Sequence, residues 1–302
     1  MGPPLGAGRQ GGLGPPVHGR RRPARAPPGA RRPGGQLTTA WLEVDAALAR
    51  SASGSARPAA LAVFAALRPI VDPGAGPRKV SCFFFQRKPP DLRLRFGAGD
   101  LAAVGAAVEA ALEGPVGDGH VTRWWTAVYE PEERKFGGPA AMEAVHAWFD
   151  ADTRAWLRLA TEPNATGEAP HPAVVCAAVA NDLYGRALGD ADEVWDTWRN
   201  VQDRLAGIPP APLPVGRWPA LDELEESLPA SVVAGYRTAD EELAGGLRRA
   251  AEAGALTAGR RAILPFVSQH TFQRWGLDGP AQAEVARVMA AAWDPHRGMR
   301  GG

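Results

Sequence analysis

Two arginines on one predicted strand give the sequence its first candidate site. Within residues 91–96, apolar side chains alternate with Arg93 and Arg95. Side chains two positions apart in a strand share a face, so the apolar set would line a core while both guanidiniums project from the opposite side. Fixed guanidiniums can hydrogen-bond carbonyl oxygens or stabilise negative charge that develops on oxygen. The pattern also fits an edge strand whose two arginines are solvated.

A second group of chemically active side chains lies within residues 123–138. The first part has the composition of a strand, and it places Trp125 and Tyr129 on one face. The tyrosine can donate a proton, and the tryptophan can stack on a flat ring or simply fill a core. The second part contains Glu132 and Lys135 and must turn, because it also holds a proline and a Gly-Gly pair.

The third group lies near the C-terminus, where polar side chains are interleaved with aromatic ones. Ser268, His270, Gln273 and Arg274 fall within ten residues of one another in a largely apolar segment. We expect at least one of them to line a pocket. Gln273 and Arg274 can equally cap or brace a helix.

Taken in this order, the three segments resemble a known family. The Phe-rich strand followed by Leu-Arg-Leu-Arg-Phe, the Tyr-Glu turn ending in Gly-Gly and the late Arg-Trp-Gly-Leu are similar to the C-terminal lyase-type domain of class I lanthipeptide dehydratases. The same domain stands alone in thiopeptide pathways, either as a glutamate-elimination subunit or as the pyridine synthase. The resemblance covers about residues 38–294, and this chain looks like a stand-alone member.

The resemblance implies which side chains form the site. Arg93 and Arg95 stand where the family's site arginines stand, whereas Lys135 replaces a family arginine. A lysine cannot reproduce the bidentate contacts of an arginine. The implied catalytic residues are Arg93, Arg95, Tyr129, His270, Gln273 and Arg274, and the implied substrate-binding residues are Trp125, Glu132, Lys135 and Ser268.

Departures from the family pattern favour the cyclising member over the eliminating one. The histidine of the eliminating members would fall on Thr271, and His270 is one position away, which on a helix or strand turns a side chain to another face. Asp91 replaces a second family histidine. Because glutamate elimination needs both a base and an acid, these losses favour the pyridine synthase. That enzyme joins two dehydroalanines in a formal aza-[4+2] cycloaddition and expels water and the leader peptide.

Two other functions remain open from the sequence. One is the glutamate-elimination subunit, and the other is a non-catalytic scaffold that binds the leader peptide. In all three cases the resemblance implies a ribosomally made precursor peptide, comprising a leader and a modified core, as the partner. Other thiopeptide-modifying enzymes are further candidate partners. The resemblance implies no cofactor or metal, no nucleic acid and no membrane.

Composition restricts the remaining classes of function. The two cysteines form no CxxC motif and no histidines cluster, so we expect no structural disulfide and no zinc site, which fits a reducing cytoplasm. No segment approaches the ~20 apolar residues that cross a bilayer. Residues 1–36 hold seven arginines and no acid, and their Gly/Pro/Arg composition predicts a disordered tail. An arginine-rich coding bias explains this charge more simply than a nucleic-acid partner.

The fold class predicted from these patterns is α+β, a single domain over residues 37–295 with a disordered tail at 296–302. We expect a mostly antiparallel sheet flanked by helices, and a helix-rich C-terminal half. The strands are predicted at 79–86, 91–97 and 123–129, and the N-terminal helices at 38–48, 58–67 and from Asp100. Further helices are predicted at 139–159 and within 172–206, and after 219 with breaks at Gly245-Gly246, Gly254 and Pro265.

Overall fold

The structure is a computed structural model that describes residues 39–72, 78–161 and 170–297. The disordered tail predicted for residues 1–36 lies outside the described residues, as do positions 298–302 of the predicted C-terminal tail. The domain boundaries at 37 and 295 therefore remain a prediction.

An antiparallel sheet of four strands positions the candidate site. The strands are β1 (Ala40–Leu48), β2 (Cys82–Lys88), β3 (Asp91–Ala98) and β4 (Val121–Ala127). They lie in the order β2-β3-β1-β4, and each neighbouring pair is antiparallel. One helix connects β1 to β2 and another connects β3 to β4, so the N-terminal part is a split β-α-β arrangement of the ferredoxin-like type.

Helices cover both faces of this sheet and make up the C-terminal half. The fold is thus α+β with an antiparallel sheet, as the sequence predicts. In the described ranges the α-helices are α1 (Arg57–Val71), α2 (Leu101–Gly117), α3 (Pro139–Thr161), α4 (Pro172–Leu188), α5 (Ala191–Arg204), α6 (Ala230–Glu252), α7 (Arg260–Trp275) and α8 (Gly279–Ala292), and a short 3-10 helix spans Asp222–Glu226.

The helix predicted at residues 38–48 is wrong, because this segment forms strand β1. Trp41, Val44 and Leu48 fit a helical spacing, but Leu42, Val44, Ala46 and Leu48 fit an alternation of period two equally well. As a strand the segment pairs with β3 on one edge and β4 on the other. It therefore lies inside the sheet and presents Glu43 and Asp45 together on one face.

Two predicted helix breaks are also wrong. Helix α6 continues through Gly245 and Gly246, and a Cβ atom at Gly246 would lie 2.6 Å from the Cβ of Ala144. Glycine is needed there because it lets α6 approach α3 closely, not because the helix ends. Helix α7 continues through Pro265, which is buried and lacks one backbone donor. Likewise α1 extends beyond its predicted end through Pro69.

The two faces of the sheet differ in character. One face packs its apolar side chains against α1 and α2, and Leu92, Leu94 and Phe96 belong to this core as their alternation predicts. On the opposite face Arg95 lies between Phe84 and Glu43 in the strand register, and Arg93 lies beside Asp45. Helices α3 and α7 pack against β2, which places them beside this polar face. The strand register therefore places two arginines and two acidic residues on the face of the sheet beside α3 and α7.

Candidate functional site

A cavity of about 220 Å³ lies on the polar face of the sheet, and we call it the polar pocket. Strands β1, β2 and β3, the loop after β4, and helices α3 and α7 all contribute to its walls. Five of the residues proposed from the sequence line it together. The lining residues are Glu43, Gln86, Lys88, Arg93, Arg95, Val128, Tyr129, Glu130, Glu132, Phe136, Phe149 and His270.

Arg95 is the central cation of the polar pocket, and a carboxylate already holds it. Its Nε donates to Glu43 Oε2 at 2.6 Å, and the two side chains are only 9% and 6% exposed. The guanidinium also lies 4.6 Å from the ring centroid of Tyr129. A buried charge without a partner is strongly destabilising, so Glu43 is what allows Arg95 to sit here. The sequence analysis missed Glu43 because it treated residues 38–48 as a helix.

Arg93 and Lys88 carry two further positive charges in the pocket. Arg93 is half-buried, and its Nε and Nη2 donate to the Pro89 carbonyl at 3.1 and 3.0 Å. Burial lowers the pKa of the Lys88 ammonium, against the opposing effect of the Glu132 carboxylate. Among the described residues, no carboxylate forms an ion pair with either side chain. These cations are therefore available to a ligand.

Asp45 lies beside Arg93 on the polar face. Burial raises the pKa of its carboxyl group, and the nearby negative charge of Glu43 raises it further. Its Oδ1 makes no hydrogen bond within the described residues. Two buried acids two positions apart on β1 thus face two arginines on β3, but only the pair formed by Glu43 and Arg95 is closed by a hydrogen bond.

Tyr129 forms a hydrogen bond with a histidine that the sequence analysis did not select. Its Oη lies 2.7 Å from Nε2 of His146, on helix α3. Burial lowers the pKa of His146 to about 4, and the charge of Arg95 contributes to the same shift. Burial also raises the pKa of Tyr129. At neutral pH both groups are therefore uncharged, and the imidazole tautomer decides which of the two donates the hydrogen bond.

His270 closes the pocket from helix α7. Gln86 Nε2 lies 2.7 Å from its Nδ1, and its ring stacks on Phe149 with 4.7 Å between centroids. Burial lowers the pKa of His270 well below its usual value, so the ring is neutral. Thr271, in contrast, is buried and bonds to the Val267 carbonyl. The one-residue shift therefore still leaves a histidine lining the pocket, so the threonine at position 271 does not remove every imidazole from the site.

The loop after β4 carries Glu132 into the pocket. Gly137 and Gly138 have φ angles of 85° and 99°, and a Cβ atom on Gly137 would lie 2.5 Å from Ile263 Cδ1. The predicted turn thus requires glycine for both its conformation and its close packing on α7. Lys135 is exposed and pairs with Glu132.

Besides Lys135, the structure leaves four of the proposed residues outside the pocket. Ser268 is buried and bonded to the Tyr184 hydroxyl, and Arg274 is fully buried in an ion pair with Asp152. Trp125 lies on β4 with the Arg123 guanidinium 4.8 Å from its ring. Gln273 has a buried Oε1 without a hydrogen-bond partner in the described ranges. None of these four lines the polar pocket.

Arg274 instead belongs to a buried network that braces the helices. Asp152 on α3 accepts hydrogen bonds from Arg274, from Tyr236 at 2.7 Å and from Trp275 at 3.2 Å. Arg87 on β2 donates to the carbonyl of Arg274 at 3.0 Å. Because these contacts join α3, α6, α7 and the sheet, the network fixes the elements that present the pocket.

The described residues place two further limits on the site. They contain no group of three or more His, Cys, Asp or Glu side chains arranged to hold a metal ion. None of the described helices combines the length and apolar character that crossing a membrane requires. The polar pocket offers neutral proton donors and acceptors beside fixed guanidiniums. Such a set can move protons and stabilise charge on oxygen.

Comparisons with known proteins agree with this architecture. The model of the family described as "Lantibiotic biosynthesis dehydratase C-term" matches residues 54–285. The tRNA dependent lantibiotic dehydratase MibB from Microbispora sp. 107891 has a similar structure, with a TM-score of 0.60 and 18% identity over 90% of this chain. The match spans only 29% of that dehydratase.

A second solved structure is similar over nearly its whole length. The pyridine synthase TbtD, from thiomuracin biosynthesis, matches 86% of this chain and 99% of its own, with a TM-score of 0.50 and 14% identity. At these identities the likeness of both structures concerns the fold. The search of curated proteins found no match.

Proposed function

The chain belongs to the family of lantibiotic dehydratase C-terminal domains, and from this premise we propose that it modifies a ribosomally made precursor peptide. We propose specifically that it joins two dehydroalanines of that peptide in a formal aza-[4+2] cycloaddition. Loss of water and of the leader peptide then leaves a pyridine core. The similarity to a pyridine synthase and to a lantibiotic dehydratase supports a role in this kind of pathway.

One observation carries the choice of reaction: Glu43 neutralises Arg95 beside the uncharged Tyr129–His146 pair. The azadiene of the cycloaddition is the imidic-acid tautomer of a backbone amide, so the site must shift a proton without a strong base. Neutral donors and acceptors suit that step. Positioned proton transfer lowers a barrier by about 3 to 5 kcal/mol, and holding two reacting groups together can supply ~7 kcal/mol or more.

The proposed roles follow from position in the pocket. Arg95 hydrogen-bonds an amide carbonyl whose oxygen gains negative charge, and Tyr129 gives its proton to the departing hydroxyl group. His270, held by Gln86, hydrogen-bonds the peptide from the opposite wall. Glu132 and Lys135 contribute to substrate binding at the mouth of the pocket. We propose a cytoplasmic location, where the precursor is synthesised and where other pathway enzymes install the dehydroalanines.

Glutamate elimination is the second candidate, and specific observations favour it. His270 lines the pocket, and Lys88 and Arg93 pair with no described carboxylate. A leaving glutamate is an anion, and charge-assisted hydrogen bonds to ammonium and guanidinium groups would stabilise it. This candidate differs from the first in needing free cations more than a neutral proton donor.

Mass spectrometry of two incubations separates the candidates. A bis-dehydroalanine, azole-bearing precursor should lose water and its leader if the cyclase proposal holds. A glutamylated precursor that loses only glutamate would select the elimination subunit instead. An unchanged substrate that nevertheless binds tightly would leave a leader-binding scaffold.

Two matched tyrosine variants link the activity to the pocket. Tyr129→Phe removes only a hydroxyl group and should lower kcat by about 10²- to 10⁴-fold, as loss of positioned proton transfer does. Tyr184→Phe makes the same change at a hydroxyl that bonds to Ser268 outside the pocket. It should keep kcat. Equal kcat values in the two variants would argue against a role for the polar pocket.

A further inference from the structure

A second cavity lies on the other side of the Tyr129–His146 hydrogen bond. It measures about 1400 Å³ and is formed by the starts of β1 and β2 together with α3 and α6. We call it the large groove. His146 lines the large groove, whereas its partner Tyr129 lines the polar pocket. One hydrogen bond of 2.7 Å therefore joins the two spaces.

Aromatic packing fixes both members of this pair. The His146 ring lies 4.5 Å from the ring of Trp41 and stacks on Phe84 at 5.7 Å, measured between centroids. The Tyr129 ring lies 5.2 Å from Trp41 and is covered by the Arg95 guanidinium. Within the described residues, neither the phenol nor the imidazole has another hydrogen-bond partner. The contact is thus held without a competing partner.

A substrate bound in the polar pocket would separate Tyr129 from solvent, so Tyr129 would need another route to a proton. A peptide that fills about 220 Å³ would displace the water around Tyr129. Once Tyr129 had donated its proton, solvent could not reach it from the pocket side. The large groove reaches the same hydrogen bond from behind, and its volume of about 1400 Å³ leaves ample room for water.

We propose that Tyr129 and His146 form a proton relay between the polar pocket and the large groove, an inference that rests on the proposed function. In the inward direction the Oη–H bond breaks as its proton passes to a substrate oxygen. The Nε2–H bond of His146 then breaks as that proton passes to Oη. Water in the groove protonates Nδ1, so the imidazole remains neutral and only exchanges one tautomer for the other.

The outward direction reverses each transfer, so protons and charges balance after one passage each way. A proton that leaves the substrate goes to Oη, the hydroxyl proton goes to Nε2, and Nδ1 returns its proton to the hydroxide left in the groove. Tautomerisation removes one proton from nitrogen and delivers one to oxygen, and loss of water delivers one to the departing hydroxyl and removes one from the ring, so each step requires one passage in each direction. Burial lowers the pKa of His146 and raises that of Tyr129, so neither group rests in a charged state between passages.

Two substitutions at His146 distinguish a relay from simple positioning. His146→Phe keeps an aromatic ring against Trp41 and Phe84 but removes both nitrogens. His146→Gln keeps a hydrogen-bond partner for Tyr129, but an amide does not pass a proton from one end to the other. A positioning role predicts that glutamine restores kcat. The relay predicts that both variants lose about 100-fold in kcat with little change in KM.

A measurement without substrate tests the relay directly. The chain has three tyrosines, so ¹³Cζ labelling and NMR can follow exchange of each hydroxyl proton with solvent. In His146→Phe the Tyr129 hydroxyl should exchange about 100-fold more slowly than in the wild type, the low end of what positioned proton transfer contributes. The hydroxyls of Tyr184 and Tyr236 are buried in other networks and should exchange at unchanged rates.

Several outcomes would overturn the relay. Equal Tyr129 exchange rates in the wild type and in His146→Phe would do so, as would full kcat in His146→Gln. If the Tyr184 and Tyr236 signals show that His146→Phe does not fold, His146→Gln carries both measurements. The exchange result stands whatever reaction the domain performs. Failure of the proposed function is seen separately, as the absence of a pyridine product from the wild type.

Discussion

At the scale of single residues, the central positive charge of the polar pocket, on Arg95, is already paired with a carboxylate of the protein. Glu43 and Arg95 are both nearly buried and bonded to each other. Removing one partner of such a pair leaves the other charge without compensation, whereas replacing both with apolar groups is often neutral. A substitution of Arg95 alone therefore affects both catalysis and folding stability. A double variant that also replaces Glu43 separates the two effects.

We expect Arg95→Met to lower the free energy of unfolding by about 3 to 5 kcal/mol, because Glu43 would remain buried without a partner. The double variant Glu43→Leu/Arg95→Met should recover most of that loss but remain inactive. Urea denaturation and the precursor assay measure the two effects. Arg123→Met, on the same sheet outside the pocket, is the control. Wild-type stability in Arg95→Met would contradict the buried ion pair.

His146 should make stability depend on pH. Its pKa falls to about 4 in the folded protein, below the value of about 6.5 expected when unfolded. The unfolded state therefore binds the proton more readily, so the contribution is complete above about pH 6.5 and is lost as pH falls towards 4. At pH 5 the loss from this residue should be about 2 kcal/mol. His146→Phe should lose correspondingly less stability between pH 7 and pH 5 in urea titrations.

Much of the pocket could be predicted from the sequence, because local patterns carry it. Arg93 and Arg95 follow from strand alternation, and the Gly-Gly turn signals the loop that holds Glu132. Gln86 and Lys88 were missed, although they lie two and four positions after Phe84 on β2 and so share a face with the arginines. This spacing is a local signal of the same kind as the one that predicts Arg93 and Arg95.

Other members of the site could not be found by local reasoning. His146 lies in the middle of a long amphipathic helix, where a buried histidine is by default a core residue. Its meeting with Tyr129 depends on how α3 crosses the sheet. Likewise, nothing near Arg274 in the sequence indicates Asp152, which is 122 positions away. Contacts of this kind are decided by packing rather than by periodicity.

At the scale of elements, the loop between β4 and α3 is set by two glycines. Gly137→Ala combines an unfavourable positive φ with a contact of 2.5 Å to Ile263. Gly207 has a similar φ of 87° and no atom within 4 Å of the added Cβ. Gly137→Ala should therefore be the more destabilising by about 1 to 3 kcal/mol, the usual cost of overpacking. Chemical denaturation of both variants compares them, and equal losses would mean that only the backbone conformation matters.

Strand β1 is the element that sequence reasoning got wrong, and the physical reason is clear. A segment of nine residues is too short for period-two and period-3.6 patterns to be told apart when both fit. The central place in the sheet decides the outcome, because β3 and β4 satisfy the backbone hydrogen bonds on both sides. Strand β3 and helix α2 were predicted well, since alternation and the Asp100 cap are local signals.

At the scale of the whole molecule, Asp152 joins three helices through one carboxylate. It is fully buried and accepts from side chains on α6 and α7. Asp152→Asn should lower the free energy of unfolding by about 3 to 5 kcal/mol, because Arg274 would keep its charge without a counter-ion. Denaturant melts test this, with Asp222→Asn, an exposed pair with Arg237, as the control. Equal midpoints would show that the network contributes little.

The first strand of the described chain is also an inner strand of the sheet. During synthesis β1 emerges before either of its neighbours, and β4 follows only some 75 positions later, as the pairing of Ala47 with Arg123 implies. Both of its edges are open to other chains until β3 emerges, and one edge stays open until β4 follows, which is a hazard for aggregation on the ribosome. Yield in the cell should therefore respond to chaperone supply and to translation speed more than the stability of the finished protein suggests.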